Sequence, residues 1–419
     1  MLIKPKVFET NREFLWTMLF LLSLLLIRLF FSYQDYREFI SKPFYYTYVD
    51  VCQAYEKTKK GKRYQVLKVT NNEGLTFYTT THRKKSLSHT QLRLQIFPDA
   101  KISFWGYLGT FYVKSRIKEV SEGSLGVMDS LLQKVSSQHE HRVLQSFYKA
   151  IFFATPLDQD LREKISMLGV SHLVALSGFH LGILWALLYG VLHLLYKPFQ
   201  QKYFPYRHAL FDVGLLTLVL LGGYVWFVGA PPSLLRSYAM LLVGWSMLLL
   251  GIELLSFAFL ATIFMVLLVL LPSLLVSLGF WLSVAGVFYI FLLLHHTKGL
   301  DNRLITLLVI PIGIFLFMLP VVHMIFDVTT GYQLLSPLLS LLFIPFYPLV
   351  MLLHLSGFGD LLDTVLLWLF MLPEDSISHL LPPGIGAVYI LLSLTAVVCR
   401  KCFYLLSGSS LAYAGYLFF

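Results

Sequence analysis

The sequence predicts a polytopic α-helical membrane protein that carries a small all-β domain near its N-terminus, and three observations predict it. Hydrophobic residues make up 57% of the 419 and charged residues only 13%, where a soluble chain carries about 25% charged. From residue 168 onward, apolar runs recur that are long enough to cross a bilayer, which takes about 20 residues at a rise of 1.5 Å each. Between residues 33 and 120 charges, Thr and aromatics alternate instead, and no run there could span.

Residues 1–32 read as a membrane anchor. Lys4, Lys6 and Arg12 precede an apolar run from Phe14 to Phe31, too long for the core of a signal peptide and not followed by a small-x-small cleavage site. The basic flank puts the N-terminus in the cytoplasm.

Residues 33–120 read as a basic β domain. Phe44–Tyr55, Lys62–Thr70, Leu75–Thr81, Gln91–Phe97, Lys101–Leu108 and Phe111–Val120 are β-rich, and turn signals separate them at Lys59-Lys60-Gly61, Asn71-Asn72-Glu73-Gly74 and Pro98-Asp99. Five or six short strands predict a small barrel, of which an OB-like barrel is one form. Between Gln34 and Ala150 there are 19 Lys or Arg against 10 Asp or Glu, nearly all of the chain's net charge of +10. Lys57, Lys59, Lys60, Lys62 and Arg63 cluster, as do Arg83, Lys84 and Lys85, with Tyr64, Phe77, Tyr78, Phe104 and Trp105 interleaved. Charge with stacking surface suits an unpaired nucleic-acid strand. Attraction to anionic lipid headgroups is the alternative.

Residues 121–167 read as an amphipathic connector, and residues 168–419 as a multi-helix domain with candidate spans from Leu168–Tyr196 through Phe403–Phe419. If the N-terminus is inside, the β domain lies outside and the loop after Tyr196 lies inside; that loop holds Lys197, Lys202 and Arg207. Cys399 and Cys402 read as a thiol pair at a helix end, and neither a metal site nor a cofactor is expected.

The centre of the chain is Gly169-Val170-Ser171-His172-Leu173-Val174-Ala175-Leu176-Ser177-Gly178-Phe179-His180-Leu181-Gly182. Read as the start of one continuous helix, it gathers His172, Ser177 and His180 near one side, with Gly178 and Gly182 forming a small-x-x-x-small groove. A packing seam with hydrogen-bonded histidines and a polar lining both remain open. Arg236, a turn inside the helix after Ala230-Pro231-Pro232, reads as snorkelling or lining a wet cavity, and Pro311, Pro320, Pro337, Pro345 and Pro348 break the later helices.

The stretch from Gly169 to His180 resembles the signature of the ComEC family of competence proteins. Ser233–Met240 resembles the family's Arg-containing helix start, Gly279–Ser283 its Gly-Phe-Gln-Leu-Ser element with Trp281 in place of Gln, and Ser340–Pro345 its Asn-Leu-Leu-x-Ile-Pro element with Ser340 in place of Asn. The resemblance covers roughly residues 144–350. It implies a channel that passes transforming DNA as a single strand across the bacterial cytoplasmic membrane, preceded by an extracytoplasmic OB-like domain. His172, Ser177, Gly178, His180, Arg236 and Ser283 would line the DNA path, while Lys59, Lys60, Lys62, Arg63, Tyr64, Tyr78, Arg83, Lys84 and Lys85 would meet the strand outside. The sequence shows no His-x-His-x-Asp-His cluster of the metallo-β-lactamase-like domain found in larger members, which implies a channel-only form and a separate nuclease. Without a Gly-x4-Gly-Lys-Ser/Thr loop, the expected partners are a cytoplasmic helicase-like ATPase, single-strand-binding proteins and an extracytoplasmic DNA receptor. A small-molecule, lipid or polysaccharide transporter and an intramembrane serine protease using Ser177 are the competing readings.

Overall fold

The computed structural model describes residues 8–59, 62–82, 87, 90–121, 126–249, 256–372 and 375–419. The described residues divide into two compact units: one within residues 8–130 and 261–280, the other within residues 131–260 and 281–419.

The first unit begins with helix α1 (Asn11–Ser41). Thr10 caps it through its hydroxyl, which accepts from Glu13 N, and only Leu25 and Phe39 of the helix are buried. At about 46 Å, estimated from the rise per residue, α1 outruns a bilayer core and continues nine residues past the anchor read from sequence. Its last turns dock on the β domain. Tyr36 donates to Ile102 O (2.7 Å), and Tyr33, Tyr36 and Phe39 pack on Phe104 and Tyr107.

Strands β1 (Tyr45–Lys59), β2 (Lys62–Asn71), β3 (Thr76–Thr81), β4 (Gln91–Phe97), β5 (Thr110–Tyr112) and β6 (Lys114–Ser121) form one sheet in the order β5-β3-β2-β1-β4-β6. The sheet closes on itself. β5 pairs parallel with β3, β6 pairs antiparallel with β4, and only the buried Val113 separates β5 from β6. Long β1 pairs with β4 through Tyr45–Asp50 and with β2 through Val49–Lys59, and a bulge at Val51/Gln53 bends it just past the end of the β4 pairing. Val49, Leu67, Val69, Phe77, Leu92, Leu94 and Ile96 fill the interior. The Asn71–Gly74 signal is a real turn, in which Asn71 Oδ1 accepts from Glu73 N and Leu75 N and Gly74 takes a φ of +83°.

One expected strand is not a strand. Lys101–Leu108 reads as β because it is aromatic, yet Phe104–Leu108 form the short helix α2, nucleated by Ser103, whose hydroxyl accepts from Gly106 N. Its Phe104 and Tyr107 pack against α1, while Trp105 is exposed.

The second unit contains α3 (Val127–Ser136, in part), α4 (Arg142–Phe153), α5 (Gln159–Met167), α6 (Ser171–Val174), α7 (Gly178–Tyr203), α8 (Ala209–Phe227), α9 (Pro232–Leu249) and α11 (Leu278–His296, from residue 281), with α10 (Phe257–Leu270) shared between the units. It continues with α12 (Asn302–Leu304), a π-turn at Ile305–Val309, α13 (Ile310–His323), α14 (Ser336–Ser356), α15 (Asp363–Met371), α16 (Pro383–Thr395) and α17 (Arg400–Phe418). Among the described residues, six helices are long and apolar enough to cross a membrane: Asn11–Ser41, Gly178–Tyr203, Ala209–Phe227, Leu278–His296, Asn302–His323 and Gly331–Ser356. Two cores hold this unit together. In one, Leu144, Tyr148 and Ile151 of α4 pack with Leu181 and Leu184 of α7, Leu221 of α8, Phe343 and Tyr347 of α14 and Phe370 of α15. In the other, Tyr289, Leu292 and Leu293 of α11 pack with Phe317 of α13, Tyr389 of α16 and Phe403 and Leu406 of α17.

Candidate functional site

The Gly169–Gly182 stretch does not make one helix. It makes the short α6, a break at Ala175–Ser177, and then α7. The reason is capping. Ser177 takes an extended conformation, its hydroxyl accepts from Phe179 N (3.3 Å), and its own N–H donates to His180 Nδ1 (3.3 Å). His180 thus stands at the third helical position, where Glu or Gln completes the usual capping box. The expected grouping of His172, Ser177 and His180 on one continuous helix face is therefore corrected.

Breaking a helix leaves carbonyls without intrahelical partners, and neighbouring elements supply hydroxyls to them. Ser233 Oγ at the start of α9 donates to Leu176 O (2.9 Å). Ser336 Oγ at the start of α14 donates to Gly169 O (3.0 Å), and Thr330 Oγ1 donates to Met167 O (2.6 Å). Glycine is required at two points. Gly169 has a φ of +68°, and a Cβ there would stand 3.2 Å from Gln333 Cγ. A Cβ on Gly178 would stand 2.9 Å from Ser237 Oγ on α9. The signature is thus a pair of helix ends held open between α9 and α14.

The two histidines separate in role. His172 exposes its ring, with Nε2 3.3 Å from Ser340 Oγ. Ser340 keeps a polar role although it stands where the family pattern has Asn, since it also donates to Ser336 O (2.7 Å). His180 is wholly buried, edge-on to Phe343 and Tyr347, and its Nε2 has no hydrogen-bond partner among the described residues. It caps α7 and fills the core; the lining position expected of it is not the one it occupies. Below the break, a groove of about 500 Å³ runs between α7 and α14, lined by Gly178, Phe179, Gly182, Ile183, Ala186, Leu187, Ile344 and Pro348.

Arg236 is buried on α9, one turn beyond Ser233, whose hydroxyl ties that helix to the break. Ser283 stands apart, on α11, whose Tyr289, Leu292 and Leu293 belong to the other core. The structure therefore gathers His172, Ser177, Gly178 and His180, brings α9 with Arg236 beside them, and leaves Ser283 out.

On the β domain, Arg63 is exposed on β2, and Tyr64 and Tyr78 are half-buried on β2 and β3. Lys60, Arg83, Lys84 and Lys85 lie outside the described residues, as do the side chains of Lys59 and Lys62. Phe77, counted from sequence as stacking surface, is core, and Phe104 is packed by α1. Sequence reading passed over a second aromatic face: Tyr46 and Tyr48 of β1 and Phe44 just before it are exposed, and the Arg93 guanidinium lies 5.7 and 5.6 Å from the centres of the two tyrosine rings. The signal was present, as aromatics at alternate positions entering a strand share one face.

A family model described as Competence protein matches residues 154–413. Neither the curated proteins nor the solved structures compared with the chain contain a match.

Proposed function

We propose, from the premise that the chain belongs to the competence protein family, that it conducts one strand of transforming DNA across the bacterial cytoplasmic membrane. Membership carries a role in competence-related DNA uptake; passage of a single strand through this chain is the finer reading. The observation that supports it most is the exposed His172 ring beside a broken helix. Irregular backbone at membrane depth is tolerated only where it is buried in protein or lines water. Here hydroxyls of α9 and α14 satisfy the broken ends and leave His172 accessible. His172 and Gly178 are the residues assigned to the path, with Ser177 and His180 holding the helix end that frames it and Arg236 buried on α9 beside them.

The closed strand order supports an OB-like reading of the β domain, whose β2–β3 face and adjoining loops would take the strand. That face carries Tyr64, Lys68 and Tyr78, with Arg63 exposed near the start of β2. The basic end of α7, with Lys197 and Lys202, and Arg207 just after it support a cytoplasmic N-terminus and an extracytoplasmic β domain. On this reading the chain is a transporter rather than an enzyme. Each phosphate entering a negative-inside cell climbs about 2.3 kcal/mol per 100 mV, so a cytoplasmic helicase-like ATPase or an ion gradient must supply the work. Single-strand-binding proteins, an extracytoplasmic DNA receptor and a separate nuclease complete the proposed partners.

The test is a DNA-uptake assay in a deletion strain that separates DNA outside the cytoplasmic membrane from DNA inside it. Loss of entry with normal surface accumulation is expected, and normal entry would refute the proposal.

A further inference from the structure

Apart from the groove, three titratable groups meet in the interior of the helical unit. His139, in the segment between α3 and α4, has a fully buried side chain, and its Nδ1 lies 2.9 Å from both oxygens of Asp363 at the start of α15. Its Nε2 lies 2.9 Å from Nε2 of His354 on α14. His354 Nδ1 lies 2.7 Å from Val350 O. Tyr148 of α4 stacks flat on the His139 ring, with centres 4.4 Å apart and planes 9° from parallel. Gln138 locks the same junction, donating to His354 O and accepting from Gly359 N.

The partners fix the protons. A carbonyl only accepts, so His354 carries hydrogen on Nδ1; an ionised carboxylate only accepts, so His139 also carries hydrogen on Nδ1. With both rings neutral, the two Nε2 atoms would then face each other with lone pairs at hydrogen-bond distance. That arrangement holds only if something positive lies between them. A transition metal does not fit the spacing: two nitrogens at about 2.0 to 2.1 Å from a tetrahedral zinc stand roughly 3.3 Å apart. Among the described residues, moreover, no group of three His, Cys, Asp or Glu could hold a metal ion. A hydrogen bond does fit.

The geometry points to a proton-binding site made of His139, His354 and Asp363, in which one proton is held between the two Nε2 atoms and its charge is cancelled by the carboxylate. Only N–H and O–H bonds are made or broken: the proton comes from hydronium in the solvent, which leaves as water. Moving it along the chain, so that Asp363 is protonated and His139 donates from Nε2, keeps the same total and the same net charge of zero. Asp363 keeps 15% of its side-chain surface exposed while His139 has none, so the carboxylate is the end at which protons exchange. Asp363 from α15 and Tyr148 from α4 are the titratable groups facing the pair. Glu140, His141, Arg142 and Asp360 in the flanking segments are exposed to solvent. Removing the proton opposes two lone pairs and strands a carboxylate, so the junction of α14, α15 and residues 137–141 must loosen. The site is a proton-dependent clasp on the helix that also lines the groove, and its existence does not depend on what the groove carries.

The test is nitrogen NMR on the full chain in lipid nanodiscs at pH 7, with the 13 histidines labelled and chelator present. One pair of histidines should show a protonated Nε2 coupled through its hydrogen bond to a second Nε2. His354→Gln, whose amide can donate to His139 without an extra proton, should abolish that coupling and leave the histidines outside the pair unshifted. Asp363→Asn, whose amide can donate to His139 Nδ1 and so leave the hydrogen on Nε2 facing His354, should keep the coupling with both rings neutral and hold it to higher pH than the wild type. Two unprotonated Nε2 atoms in the wild type, or signals of this pair that move only when zinc is added, would overturn the proposal; the wild-type spectrum decides it even if a variant fails to accumulate.

Discussion

Gly178→Ala probes the spacing of α7 and α9 with a single carbon. The added Cβ would meet Ser237 Oγ at 2.9 Å and Ser237 Cβ at 3.2 Å. Carbon atoms rest at about 3.5 to 4.0 Å, so the two helices must part by roughly 0.3 to 0.8 Å or Ser237 must give way. Ser237 is not free to swing, because its hydroxyl donates to Ser233 O (2.8 Å) and Ser233 in turn caps Leu176 O. Overpacking of this kind costs about 1 to 3 kcal/mol, against which Ala recovers at most about 1 kcal/mol of helix propensity. The net loss of stability is small, and a melting curve would not settle the matter. Displacing Ser233 from the break is the consequence to measure. We expect Gly178→Ala to lower transformation at least tenfold at equal membrane abundance, with DNA still reaching the cell surface. Ser237→Gly in the same chain removes both clashing atoms and should restore most of the loss. Wild-type transformation by the single variant, or no rescue by the second change, would refute the argument that this contact sets the path.

Two further outcomes follow from the same geometry. Ser336→Ala deprives Gly169 O of its donor in a buried setting and should cost about 1 to 3 kcal/mol, read as a lowered unfolding midpoint, whereas Ser356→Ala at the exposed end of α14 should stay within about 0.5 kcal/mol. On the β domain, affinity of the full chain for single-stranded DNA should fall with salt at about 0.7 in log-log slope per phosphate contact, and Ala at Lys59, Lys60, Lys62 and Arg63 should flatten the slope; binding indifferent to salt would remove the domain from the DNA path.

Much of the architecture was legible because it is written locally. Alternation and turn residues placed β1, β2, β3 and β4 within a few residues of their observed ends, and apolar length placed the long helices. Two local misreadings share a cause. Lys101–Leu108 and Gly169–Gly182 were read by side-chain polarity alone, whereas Ser103 and Ser177 act through hydroxyls that bind backbone N–H groups, and a capping serine outweighs an apolar or aromatic run. Ser-x-x-His before α7 was readable as a capping box once His is admitted in place of Glu. The His139, His354 and Asp363 cluster was not readable at all, because its members lie 215 and 224 residues apart and only tertiary packing brings them together.

Ser177 decides between a channel and a protease. Its hydroxyl lies 3.4 Å from His180 Nδ1, which superficially suits a nucleophile beside its base. The hydrogen-bond roles say otherwise. His180 Nδ1 already accepts from Ser177 N, and the hydroxyl oxygen accepts from Phe179 N, so both atoms are engaged in ending the chain break and starting α7. A cap can be replaced by another cap: Asn serves at this position as well as Ser, while Ala costs about 1 kcal/mol. A nucleophile has no such substitute, and its loss lowers turnover by several orders of magnitude. We therefore expect Ser177→Asn to transform close to wild type and Ser177→Ala to retain at least a tenth, at equal membrane abundance. Ser177→Asn and Ser177→Ala both inactive, in protein that unfolds at the wild-type temperature, would overturn the capping role and reinstate the hydroxyl as the reacting group.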